Sequence, residues 1–199
     1  EPFDFTTAIT ENTKIEAIWN PVLTTYTVAY WQENANEDGY SYIESVKMQK
    51  LTGEVATFDD KAYPNFILNT EKTNETIDTV KWDGSTIKTV YYDRTRFTLA
   101  FHQKLSTGGD GGLLEGLEFP LIKYGQTVSE QWASANNSYP EYMWYVSHVF
   151  NDFLAYSEAP AMPNSNLTLY GRKSGNIQYV IYYLEDAPGN PEVKTPFRM

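Results

Sequence analysis

Few side chains in this sequence are equipped for covalent chemistry. There is no cysteine, so disulfides, thiolate metal sites and cysteine nucleophiles are excluded together. The two histidines, His102 and His148, sit on separate apolar-rich segments. Neither has another His, Asp or Glu at helical or hairpin metal-ligand spacing, so each reads as a half-buried, hydrogen-bonded histidine. The stretch "NANEDG" places Asn34, Asn36, Asp38 and Gly39 at the first, third, fifth and sixth places of a calcium loop. The bidentate Glu required at the twelfth place is missing: Ser45 stands there and Glu44 falls one residue early, so the stretch reads as a hairpin turn on an acidic surface. "GGDGG" at 108–112 lacks the Gly-Lys-Ser/Thr ending and the following helix of a phosphate-binding loop, and reads as a flexible hairpin loop. Glycoside hydrolysis needs two carboxylates facing each other across a cleft. With 26 acidic residues, pairs such as Asp59 or Asp60 with Glu115 arise from abundance alone. No enzyme and no cofactor is expected.

Aromatic side chains offer a different chemistry, since a flat ring exposed at a surface stacks against sugar rings. The candidates are Trp82, Tyr124 and Trp31 as ligand-binding residues, with Trp132 beside them. Trp31 and Trp132 lie inside patterned elements, where core packing accounts for them. Trp82, next to the "DGS" turn, is the one expected to be exposed. Lys47 and Lys123 are candidates for an amide cross-link to an asparagine in an apolar core.

The elements that must position these residues are short strands. Apolar residues alternate with period two over runs of five to eight, and Val, Ile, Thr, Tyr and Phe dominate. The best helix candidate is "TVSEQWASA" at 127–135, two turns at most, with Thr127 and Glu130 at capping-box spacing. Turn signals punctuate the rest at 36–39, 82–85, 108–112 and 187–191. The composition, 41% hydrophobic and 16% aromatic, supports a core, and no run is long enough to span a bilayer. A net charge of -11 repels phosphates and anionic headgroups, so neither nucleic acid nor membrane insertion is expected.

The sequence repeats itself. "YTVAYWQE" at 26–33 returns as "FTLAFHQK" at 97–104 and as "QYVIYYLE" at 178–185. "AYPNFIL" at 62–68 is answered by "SYPEYMW" at 138–144, and each is followed by a β-rich run, "STIKTVYYDR" at 85–94 and "SNLTLYGRKS" at 165–174. The first twenty residues resemble the end of the second copy at 155–174, so the chain reads as a window on a tandem array. The expected parts are the tail of a preceding repeat (1–20), two modules (21–95 and 96–175), and the first strand and hairpin of a following repeat (176–199). Modules this small need large side chains to close a core, which accounts for most of the aromatics. "DRTRF" at 93–97 passes from strand to strand with no flexible spacer.

These residues resemble a known family. "FDFTTAITENTKIEAIW" (3–19) resembles the closing segment of the Listeria/Bacteroides repeat, also called the internalin-type B repeat. The 96–175 module is similar to it through "FTLAFHQ", "YGQTVSEQW", Trp144-Tyr145 and "MPNSNLTLYG". The 21–95 module looks more like the related mucin-binding-protein type. Departures occur at Ala8, Glu16 and Lys173 or Ser174. The resemblance implies an α+β, β-rich fold of small β-grasp-like (ubiquitin-like) modules stacked end to end, on secreted or cell-wall-anchored proteins of Gram-positive bacteria. It implies a stiff extracellular spacer and interaction surface in adhesion. The expected partners are neighbouring repeats and a host or environmental glycan or protein, with mucin-type glycan binding as the alternative function. It carries no catalytic residue over.

Overall fold

A computed structural model describes residues 3–6, 8–148, 155–173, 182–185 and 194–197, the last two segments as backbone only. The protein is β-rich with two mixed sheets and few helices. The chain divides into two compact units, 1–95 and 96–199. The turn read at 187–191 and the third copy's first residues, 178–181, lie outside the described residues.

The first unit contains β1 (Leu23–Glu33), β2 (Tyr40–Leu51), β3 (Phe66–Leu68), the single-turn helix α1 (Thr70–Thr73) and β4 (Ile87–Arg94). Its sheet runs β2-β1-β4-β3, with β1 antiparallel to β2 and parallel to β4. Strand alternation sends Tyr26, Val28 and Tyr30 of β1 and Val90 and Tyr92 of β4 to one face, where all five are buried. The connection after β2 that covers this face forms no helix, so its backbone groups need partners from elsewhere. Tyrosine hydroxyls supply them. Tyr26 donates to the Thr57 carbonyl at 2.9 Å and accepts from the Thr57 N–H at 3.2 Å. Tyr30 donates to the Asp59 carbonyl at 2.9 Å, while Tyr92 accepts from the Lys61 N–H and donates to the Asp60 carboxylate, both at 2.7 Å. Tyr63 donates to Glu44 at 2.6 Å, and Lys61 pairs with the same carboxylate at 2.7 Å.

The second unit contains β5 (Arg96–Lys104), β6 (Asp110–Lys123), α2 (Ser129–Ser138), β7 (Tyr142–Tyr145), β8 (Ala155–Tyr156) and β9 (Leu167–Lys173). Its sheet runs β6-β5-β9-β7-β8, again with a parallel central pair, β5 and β9. Residues 182–185 (β10) and 194–197 (β11) pair as an antiparallel hairpin. The helix differs from its sequence reading. It starts two residues later, runs 10 residues, and is capped by Val128 with no side-chain hydrogen bond, so the Thr127/Glu130 capping box does not form. The reason is local: Val128 is buried and its N–H is held by the Pro160 carbonyl, and Thr127 is drawn into a bridge with Ala161. Because α2 satisfies its own backbone, the strand beneath it needs no hydroxyls. Phe97 and Phe101 occupy the places of Tyr26 and Tyr30. Trp144 closes the core by donating from Nε1 to Asn136 of α2 at 3.0 Å. A Cβ at Gly171 would collide with the rings of Trp144 and Tyr142, which explains glycine there.

Smaller devices recur in both units. Tyr63-Pro64 and Tyr139-Pro140 each open a turn, closed by Phe66 N–H on the Tyr63 carbonyl (3.1 Å) and Tyr142 N–H on the Tyr139 carbonyl (3.0 Å). Gly53 and Gly125, both at positive φ, begin matching bridges to the segments around Val80 and Met162, two buried residues. Among the described residues the buried lysines are Lys88 and Lys104. Lys88 fastens the loop after α1 by donating to the carbonyls of Thr73 (2.6 Å) and Thr76 (3.3 Å) beside Asp78. Lys47 instead lies exposed, donating to Thr27, so the structure does not place it in an apolar core.

Removing the Tyr26 hydroxyl leaves both polar groups of Thr57 without their partner. Tyr26→Phe should lower the unfolding free energy by about 1–3 kcal/mol. Phe101→Tyr, which adds a hydroxyl where the facing backbone is already satisfied, should cost a similar amount. Denaturant titrations of the two variants test this reciprocity.

Candidate functional site

The face of the first sheet opposite its core carries the outward residues of β1: Thr25, Thr27, Ala29 and Trp31. At Trp31 the register places Tyr42 of β2 on one side and Tyr91 of β4 on the other, so three aromatic residues form a row across adjacent strands. The Trp31 and Tyr42 rings meet edge-on at 5.8 Å, and Tyr42 is 52% exposed. Tyr40 reaches across to meet Tyr91 edge-on at 4.8 Å, and Lys72 Nζ lies 5.3 and 5.0 Å from those two rings.

A polar network holds the row in place. Tyr40 donates to Asp93 Oδ1 at 2.5 Å, and Asn69 Nδ2 donates to Asp93 Oδ2 at 2.9 Å. Through its carbonyl oxygen, Asn69 also caps α1 by accepting from Lys72 N–H at 2.8 Å. Burial first, then the Asp93 carboxylate, pushes the Tyr40 hydroxyl up to about 12. Burial likewise raises Tyr92 to about 12, with Asp60 adding to the rise. Tyr30 and Tyr63 move in the same direction, chiefly through burial. The Lys61 hydrogen bond, then that of Tyr63, holds Glu44 below the usual carboxylate range.

The aromatic residues read from the sequence do not come together as one platform. Trp82 is 81% exposed in the turn between Lys81 and Thr86. That turn packs against the start of β1, since a Cβ on Gly84 would lie 3.2 Å from the Thr25 carbonyl. Trp31 is six residues further along the strand, roughly 20 Å away. Tyr124 is half-buried in the turn after β6 of the second unit. Trp132 is half-buried on α2, packed against the core and edge-on to Tyr156 at 6.4 Å. The row's other members, Tyr42, Tyr91 and Tyr40, were missed. Their outward parity is legible in the sequence, but their alignment with Trp31 needs the register.

At the tip of the β1–β2 hairpin lies a shallow depression of about 470 Å³, lined by Gln32, Asn34, Asn36, Ser41, Ile43 and Arg94 among others. Asn34 is committed to the loop itself: its Oδ1 accepts from Ser41 at 2.7 Å, and its N–H donates to the Gly39 carbonyl at 3.0 Å. Arg94 donates to Glu33 from its backbone (2.9 Å) and from Nε (2.7 Å). The depression therefore offers amide groups, the Ser41 hydroxyl and the Glu37 carboxylate. Asp60 is likewise occupied, by Tyr92.

In the second unit the two histidines converge on one ring: His102 and His148 lie 5.7 and 5.1 Å from Tyr170. The register places His102 at the position Trp31 holds in the first unit. The structure adds a partner that sequence spacing did not suggest, Asp110, whose two oxygens lie 3.0 Å from His102 Nδ1. The Gly112 N–H, and after it His102, lowers the Asp110 carboxyl. Among the described residues no three of His, Cys, Asp and Glu stand close enough to hold a metal ion. No protein-family model matches this chain, and no curated protein matches it in sequence.

The raised tyrosines set an alkaline limit with a definite sign. In the unfolded chain tyrosine loses its proton near pH ~10, whereas Tyr40 and Tyr92 hold theirs to about 12. Their contribution to stability is complete below the lower value and is lost as pH rises toward the upper one. The unfolding free energy should therefore fall across that interval. Replacing Tyr40 with Phe should make the fall shallower, as read by denaturant titration at stepped alkaline pH.

Proposed function

We propose that this chain is a segment of tandem β-grasp-like modules, of the Listeria/Bacteroides and mucin-binding repeat type, from the extracellular part of a cell-wall-anchored protein. Its work is mechanical and presentational, as a stiff spacer carrying an interaction surface in adhesion, without enzymatic activity. The carrying observation is the strand order: in each unit the opening strand pairs in parallel with the closing strand, β1 with β4 and β5 with β9. A pull on the chain enters at the start of one and leaves at the end of the other. Parallel neighbours loaded at opposite ends are sheared, so their evenly spaced hydrogen bonds bear the force together rather than opening singly. A single residue, Thr95, separates β4 from β5, which leaves little slack to absorb the load first.

A second reading, glycan binding, is favoured by the aromatic row of Trp31, Tyr42 and Tyr91 and by the exposed Trp82. Aromatic faces flanked by the hydroxyls of Thr27, Thr89 and Ser45 suit the mixed apolar and hydroxylic surface of a pyranose.

Single-molecule pulling tests the mechanical reading. Each unit should unfold in one cooperative step that lengthens the chain by roughly 250 Å. Extension without force peaks would overturn the spacer role. On a glycan array, binding lost in Trp31→Ala/Tyr42→Ala or in Trp82→Ala would establish the second reading, and no binding anywhere on the array would remove it.

A further inference from the structure

A sheet edge presents unpaired N–H and C=O groups along alternate residues, and natural sheets blunt such edges or use them. The two mixed sheets have four edges, formed by β2, β3, β6 and β8. β3 and β8 are three and two residues long, too short to template another strand. β6 is long but broken: its pairing with β5 shifts register three times, and it carries Pro120, Gly116 at φ 74° and Leu121 at φ 62°. β2 differs from all of these. It runs 12 residues without proline or glycine, with one shift near its start, and no backbone partner lies along its outer edge among the described residues.

We infer that β2 is a self-association edge, on which a second copy of this chain adds its own β2 antiparallel about a two-fold axis at Val46. Only extended backbone of matching length satisfies such an edge, and β2 itself has that length. Centring on Val46 keeps the side chains of residues 44–48 on their own faces, and the bulge between Tyr42 and Glu44 ends the regular overlap there. The same centring sets Ser45 opposite Lys47 on the outer face and Glu44 opposite Met48 on the core face, so no like charges meet. Centring on Lys47 would oppose two ammonium groups. Val46 is half-buried at the margin of the first unit's core, and the second copy brings its own Val46 against it, extending the apolar layer across the junction. Opposing this is the net charge of -11 on each copy, a long-range repulsion that salt screens. Association should therefore tighten with ionic strength.

The proposal is independent of the spacer reading, because it predicts an oligomeric state and not a response to force. Sedimentation of the full chain should show a reversible monomer–dimer equilibrium whose dissociation constant falls by about tenfold or more between low and high salt, as screening shortens the repulsion. Ser45→Lys, at an exposed position, puts an ammonium opposite Lys47 and should abolish the dimer. Adding Lys47→Glu to that variant should restore it. Since the chain has no cysteine, mixed oxidation of Ser45→Cys and Lys47→Cys copies should give a cross-linked dimer faster than either variant alone. A monomer at every concentration and salt overturns the inference. So does a dimer indifferent to Ser45→Lys, which would place the contact on another surface.

Discussion

The constraint on which the first unit depends is the need of a buried, irregular backbone segment for hydrogen-bond partners. A connection that crosses a sheet's apolar face must satisfy its own N–H and C=O groups or borrow partners, because each one left unmet costs about 1–3 kcal/mol. A helix is the usual answer, and the second unit uses one. The first unit has no helix there, and its answer is to send hydroxyls through the core from beneath. Tyr26, Tyr30 and Tyr92 rise from the central strands, fill the core with their rings and meet the backbone of residues 57–61 with their oxygens. The ring contributes the burial and the hydroxyl fixes where the connection lies. Three of the 16 tyrosines thus serve as core rings that also hold a loop in place.

The same constraint explains why two units with one strand order differ in residue type at matching positions. Phe97 and Phe101 replace Tyr26 and Tyr30 where α2 lies above. Trp144 and Asn136 then take over the polar tie between sheet and cover, through one bond instead of several. What the two units share is the set of features that topology requires: the parallel central pair, the Tyr-Pro turn before the third strand, and the glycine that starts the bridge to the closing segment. Asn65 supplies the positive φ of its turn, which asparagine tolerates better than most residues.

Much of this was legible in the sequence, because strand alternation is a local signal. The strands read at 26–33, 85–94, 97–104 and 165–174 correspond to β1, β4, β5 and β9. The parts that were not legible depend on distant partners. The capping box at Thr127 satisfied every local rule yet lost to the bridge with Ala161, which lies more than thirty residues away in sequence. α1 is a single turn, too short for any periodicity, and exists because Asn69 caps it while holding Asp93. Lys88 sits in an alternating run as an ordinary exposed lysine would, and is buried because three acceptors from another loop surround it. Trp31 lies in a patterned strand, where core packing is the sequence expectation, but its parity is that of the outer face, and its companions Tyr42 and Tyr91 follow only from register.

That outer face is where the two units diverge most in chemistry. At the matching position the first unit places Trp31 beside Tyr91 and the second places His102 beside Tyr170. Around the first stand Tyr42, Tyr40 and Lys72; around the second stand Asp110 and His148. Core positions answer to packing and to the backbone above them, so their variation is tied to the cover of each unit. The outer face belongs to neither unit's buried core cluster. Side chains there are free to differ without disturbing the fold. A unit built this way commits one face of the sheet to holding it closed and leaves the other free to vary. The aromatic row of the first unit and the histidine–aspartate cluster of the second thus occupy one matching position.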